Sequence, residues 1–205
     1  MIRPTLKRER ALWAEGRLHV AGLDEVGRGP IAGPVVAAVV IFPPGHRPIP
    51  GLRDSKLLSA LQRAKLEKVI RKKALAWAIG AASVREIERL NIRCASALAM
   101  RRAIERLPFF PDYVLIDGTA LPEMGYGHEP LIKGDAKCHT IAAASVLAKE
   151  TRDRLMRLLA IRYPSFNWQE NKGYATADHL AALDRLGPTR HHRNGFISVA
   201  QLKLF

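Results

Sequence analysis

The chain has 205 residues, of which 48% are hydrophobic, enough for one compact domain with a substantial core and too few for a second large one. Lysine and arginine number 33 against 19 acidic residues, a formal net charge of +14, which favours a polyanionic partner, and nucleic acid fits best. Cys94 and Cys138 are too few for a disulfide framework and wrongly spaced for a four-ligand zinc site, no apolar run approaches membrane-spanning length, and a reducing cytoplasm is the expected compartment.

Residues 1–17 read as a short basic amino-terminal segment without the apolar core of a secretory signal, although an arginine-rich transit peptide shares that composition. Residues 18–205 read as a single domain. His19 to Leu23 predicts a strand, and the unbroken apolar run Val35 to Phe42 predicts a buried one. Pro43, Pro44, Gly45, Pro48 and Pro50 mark a loop, after which Leu57 to Lys72 carries apolar residues at helical spacing. Leu75 to Val84 predicts a third strand that closes an antiparallel trio. Asn91 to Leu107 predicts a helix with Ile92, Ala95, Ala99 and Ala103 near one face, stopped by Pro108. Tyr113 to Ile116 is the next strand and Leu131 to Lys133 a further short one. Thr140 to Ile161 predicts a long helix ended by Tyr163-Pro164. A last helix, Thr176 to Leu186, precedes a polar tail with His191-His192-Arg193. Three strands followed by helices alternating with single strands predict a mixed sheet with helices on its faces, an α/β domain.

The chemistry concentrates in four acidic residues. Asp24 and Glu25 end an apolar strand, where two adjacent carboxylates are costly to desolvate without a charged partner, a need that a divalent cation meets. Successive strand residues point to opposite faces, so the two converge only if the strand ends or bends, for which Gly27 and Gly29 provide. Asp117 follows Tyr113-Val114-Leu115-Ile116 and places a third carboxylate at a strand end. Asp135 precedes the long helix, whose amino terminus favours negative charge, and a turn aspartate fits there as well. Hard oxygen ligands select magnesium or manganese, and a pair of such ions activates a water and stabilises the leaving oxygen of a phosphodiester. Cys138-His139 lacks the further ligands that zinc requires.

The stretch Ala21 to Pro34, AGLDEVGRGPIAGP, resembles the amino-terminal signature of the ribonuclease HII family. Asp54-Ser55-Lys56-Leu57-Leu58, Asn91-Ile92 with Ala99-Met100, Asp117-Gly118 and Gly134-Asp135-Ala136-Lys137 follow in that family's order and spacing. Ile141 to Lys149 with Arg152-Asp153, and Gly173-Tyr174 with Thr176 and His179, complete a resemblance over about residues 18–196.

That resemblance implies a ribonuclease H-like mixed sheet flanked by helices, with a helical carboxyl-terminal region. It implies Asp24, Glu25, Asp117 and Asp135 as carboxylates that are both catalytic and metal-binding, with Mn2+ or Mg2+ as cofactor. The implied substrates are RNA–DNA hybrid and duplex DNA containing ribonucleotides, cut 5′ of the ribonucleotide to leave 5′-phosphate and 3′-hydroxyl ends. Gly27, Arg28 and Gly29 are implied to contact the ribose 2′-hydroxyl, which distinguishes RNA from DNA, through the close approach that glycine allows. Tyr174 is implied to pack against the adjoining sugar, where ordinary packing is the alternative reading. Lys56 fits a phosphate contact best, with Lys133, Lys137 and Lys149 as weaker candidates. Asp153, well inside the long helix, is expected to pair with an arginine. Cys94, Glu150 and Gly195 depart from the family pattern. The family suggests a monomer. Ribonuclease HIII, with its usual extra amino-terminal domain, and a non-catalytic hybrid-binding protein are the rival readings.

Overall fold

The computed structural model describes residues 3–196. Its centre is a five-stranded sheet formed by β1 (Val20–Val26), β2 (Val35–Ile41), β3 (Ala76–Ala82), β4 (Tyr113–Asp117) and β5 (Glu129–Leu131), in the order β3-β2-β1-β4-β5. The first three strands pair antiparallel and β4 and β5 join in parallel, so the sheet is mixed, as the succession of elements predicted. β2 is buried along its whole length because both its faces are covered. Val35, Ala37, Val39 and Ile41 pack into one core with Ala95, Ala99 and Met100, while Ala38 and Val40 pack into another with Ala142, Val146 and Leu147. An apolar run without alternation is the signature of that position.

The α-helices of the described residues are α1 (Lys7–Ala14), α2 (Ala60–Lys73), α3 (Val84–Glu105), α4 (Gly134–Lys137), α5 (His139–Arg162), α6 (Trp168–Asn171) and α7 (Ala177–Leu186), with short 3-10 turns between some of them. α2 and α3 open with capping boxes, Ser59 with Gln62 and Ser83 with Glu86, which satisfy otherwise orphaned backbone groups. α3 starts seven residues before the predicted Asn91. Asn91 interrupts it at φ 67°, ψ 167°, and its side chain accepts a bond of 3.0 Å from the Cys94 amide. The start predicted at Asn91 therefore coincides with the cap of the second half of a kinked helix.

α5 lies directly on β1. A Cβ at Gly22 would stand 2.5 Å from the Thr140 carbonyl carbon, so only glycine lets the helix approach this closely. α1, to which the sequence reading assigned no element, is tied to the same helix. Its buried Glu9 accepts hydrogen bonds from the Thr140 amide at 2.8 Å, the Thr140 hydroxyl at 2.5 Å and the Cys138 thiol at 3.2 Å. A carboxylate at the amino terminus of a 24-residue helix complements its dipole. β5 ends at Leu131, two residues before the predicted limit, because Lys133 adopts a left-handed conformation that turns the chain into α4. A third core of Ile31, Ala32, Met156, Phe166, Trp168 and Leu183 fastens the carboxyl-terminal helices to the connection between β1 and β2. No helix among the described residues is long and apolar enough to cross a membrane.

Candidate active site

Three segments far apart in sequence deliver three carboxylates to one place. Asp24 lies near the end of β1, Asp117 ends the parallel neighbour β4, and Asp135 sits in the first turn of α4. One oxygen from each lies within 4.8 Å of the others. Backbone amides fix two of them: Gly134 N donates to Asp117 Oδ1 at 2.6 Å and Glu25 N to Asp24 Oδ1 at 2.7 Å. The Asp24 carboxyl also meets the hydroxyl of Ser145, which is 2.8 Å from that of Ser55. The sequence reading assigned neither serine a role; for Ser145 the available signal was a small polar residue in an apolar helix, and Ser55 lies in the short turn Ser55–Leu57.

The electrostatics follow from crowding. Burial, then the neighbouring charges of Glu25 and Asp117, push the Asp24 carboxyl well above its ordinary range, with Ser145 opposing. Burial and Asp117 raise Asp135, which Lys56 opposes from 4.0 Å. That lysine is 78% exposed, so its screened ammonium offsets little of the charge of three clustered acids. An all-oxygen, anionic cluster of this kind fits a hard divalent cation.

Glu25 borders the trio, close enough for its charge to act on Asp24 and for Asp117 to act on it. Its carboxylate pairs with Arg28 at 3.1 Å, and burial raises it while Arg28 opposes. The three residues of the Gly27–Gly29 loop are not alike. At Gly27 (φ +95°) a Cβ would collide with the Arg152 guanidinium, whereas at Gly29 the nearest atom would be Tyr174 Cε1, at 3.8 Å. The space that a side chain would fill is thus taken by Arg152 at Gly27 and borders Tyr174 at Gly29. Arg28 and Tyr174 are about half exposed. Lys149 does not point free: it pairs with Asp153 at 2.8 Å. Asp153 also meets Arg63 at 3.1 Å, the arginine partner expected for it, and the same guanidinium holds Glu150 at 2.7 Å. That pairing accounts for an acid where the family pattern is apolar.

A family model for ribonuclease HII matches residues 21–199. The chain belongs to the ribonuclease HII family. A ribonuclease HII from Sphingopyxis alaskensis is 52% identical to it over 200 residues, 97% of this chain and 100% of that protein. Among solved structures, the ribonuclease H2 of Pyrococcus horikoshii superposes with a TM-score of 0.77 at 24% identity, over 91% of this chain and 98% of that one. Bst-RNase HIII in complex with Mn2+ superposes with a TM-score of 0.74 at 20% identity, over 95% of this chain and 73% of its own. These two likenesses establish the ribonuclease H-like fold. As a ribonuclease HII the chain is a ribonuclease H, an endonuclease of RNA–DNA hybrids.

Proposed function

We propose that this ribonuclease HII, beyond cutting the RNA of hybrids, hydrolyses the phosphodiester 5′ of ribonucleotides embedded in duplex DNA, leaving 5′-phosphate and 3′-hydroxyl ends. The observation that carries this reading is the meeting of Asp24, Asp117 and Asp135 within 4.8 Å. These three would hold Mn2+ or Mg2+, with Glu25 as the fourth carboxylate beside them; Mn2+ is the ion in the Bst-RNase HIII complex. When bound, a divalent ion lowers the pKa of water and offsets charge on the phosphodiester.

The chain's own groups then divide the work. Asp24 and Asp117 hold their oxygens fixed through the Glu25 and Gly134 amides. Glu25 and Asp135 orient substrate and the attacking water, and Glu25 holds Arg28 at the rim. Lys56 and Arg28 contact phosphates, which supplies affinity without sequence preference. Gly29 and Tyr174 bound the ribose, and the 2′-hydroxyl supplies the selection of RNA over DNA. The cytoplasmic, monomeric setting follows the family resemblance, and both cysteines are free.

The test is cleavage of a DNA duplex carrying one ribonucleotide, with Mg2+ or Mn2+, beside an all-DNA duplex and a chelator control. Asp117→Asn is expected to lose about 100-fold or more in turnover while retaining most duplex affinity. Unimpaired cleavage by that variant removes Asp117 from the site. Tight binding without cutting under either metal overturns the reading.

A further inference from the structure

The tail dipeptide His192-Arg193 has no part in the function above, yet both side chains are buried, at 1% and 0% exposure. Arg193 reaches back to the loop after β1. Its guanidinium donates to the carbonyls of Gly27 at 2.6 Å, Arg28 at 3.0 Å and Gly33 at 2.7 and 2.9 Å. Each of these bonds ends on a backbone oxygen rather than a carboxylate. A buried cation so placed is costly, and burial with Arg152 nearby lowers its pKa to about 9. What the guanidinium offers is five donors in a rigid fork, able to fix several carbonyls of one loop at once.

His192 reaches the opposite wall. Its Nδ1 accepts from the Thr189 amide at 2.9 Å, so the neutral ring carries its proton on Nε2, which faces His179 Nε2 at 3.1 Å. The single lone pair of His179 Nε2 is shared between His192 and Trp168 Nε1, which donates from 3.0 Å. His179 therefore carries its proton on Nδ1 and donates it to the Tyr174 carbonyl at 2.8 Å. The partners thus dictate both tautomers, and burial favours the neutral form of each ring. Two consecutive residues thus hold the carbonyls of Gly27 and Arg28 directly and the Tyr174 carbonyl through His179, and a Cβ at Gly29 would lie 3.8 Å from Tyr174 Cε1.

We propose that His192 and Arg193 are positioning residues that fix the Gly27–Gly29 loop and Tyr174 relative to one another and so set discrimination for the ribonucleotide. The inference rests on the reading that these two walls enclose the ribose.

The side-chain chemistry supplies the test. Glutamine at 192 keeps a donor where Nε2 stands, whereas asparagine keeps only an acceptor where Nδ1 stands. His192→Asn is expected to lower kcat on the single-ribonucleotide duplex about tenfold, with KM within about threefold because phosphate contacts remain, and to speed amide exchange at residues 174–176. His192→Gln is expected to restore both. Arg193→Lys is expected to show the same kcat-weighted loss, with faster exchange across residues 27–33. A purely structural role instead predicts equal losses in the asparagine and glutamine variants, tracking their folded fractions, and that result overturns the inference. Faster exchange with unchanged kcat overturns it too. Should Arg193→Lys fail to fold, the histidine pair decides alone. If the unmodified enzyme cuts hybrid but not the single-ribonucleotide duplex, the proposed substrate is wrong, and the inference is decided by hybrid kcat and exchange at 174–176 in the two histidine variants.

Discussion

Gly27 and Gly29 show how far a single residue's identity underdetermines its purpose. Both belong to one recognisable motif, but only the tertiary structure tells that Gly27 makes room for Arg152 and that Gly29 looks out toward Tyr174. Gly27→Ala is therefore expected to cost about 2–4 kcal/mol of stability, from a strained positive φ and a displaced buried guanidinium. Gly29→Ala is expected to stay within about 0.5 kcal/mol of the parent in urea unfolding while cutting the ribonucleotide duplex more slowly. Equal destabilisation by the two would contradict the assignment. The acids were legible for a different reason: Asp24, Asp117 and Asp135 each stand where an apolar run ends or a helix begins, and carboxylates are rarely buried there without a task. What spacing could not reveal is that Glu25 turns to Arg28, since a one-residue difference along a strand decides which face a side chain takes.

Elements were legible in proportion to how much of their surface is buried. β2, covered on both faces, announces itself as eight consecutive apolar residues from Val35 to Phe42, and α5 as a long alanine-rich run. α1 carries three basic residues in eight and buries only Glu9 and Leu12, so its periodicity is drowned by its charge. Glu9 is its bond to α5, while Leu12 packs against Val20, Leu115 and Ile141 and Arg8 pairs with Glu129. Glu9→Ala would leave the Thr140 amide and hydroxyl without their acceptor, and an expected loss of about 1–3 kcal/mol in urea unfolding follows from the unsatisfied buried donors. Unchanged stability would mean that the Glu9 bonds contribute nothing to holding α5. The kink at Asn91 was half legible: the second half of the helix was predicted from Asn91 onward, and the turns from Val84 ahead of it were not, because an asparagine before an apolar periodic run reads as a start.

For the molecule as a whole, the buried imidazoles set a pH dependence. Burial lowers His139 and His192 to about 4 from an ordinary 6.5, with the neighbouring histidines His46 and His179 pressing the same way, and lowers His179 as well. A histidine with a depressed folded pKa is neutral in the fold while the unfolded chain takes up the proton. Its contribution to stability is full above pH 6.5 and is lost as pH falls from there toward 4. Asp24, Glu25 and Asp135 run the other way, since the folded protein holds their protons more tightly than the unfolded chain does. An NMR titration separates the two: the His139 and His192 ring resonances should move with midpoints near 4, and midpoints near 6.5 would contradict their burial. Finally, the bond from Arg193 to the Gly27 carbonyl joins residues 166 positions apart. Contacts of such separation form late, because the intervening loop must close first. During synthesis the strands β1 to β4 and the three aspartates leave the ribosome well before residue 193 does. The loop after β1 thus cannot take its final shape until the tail is made, so a nascent chain acquires its acids early and its brace last.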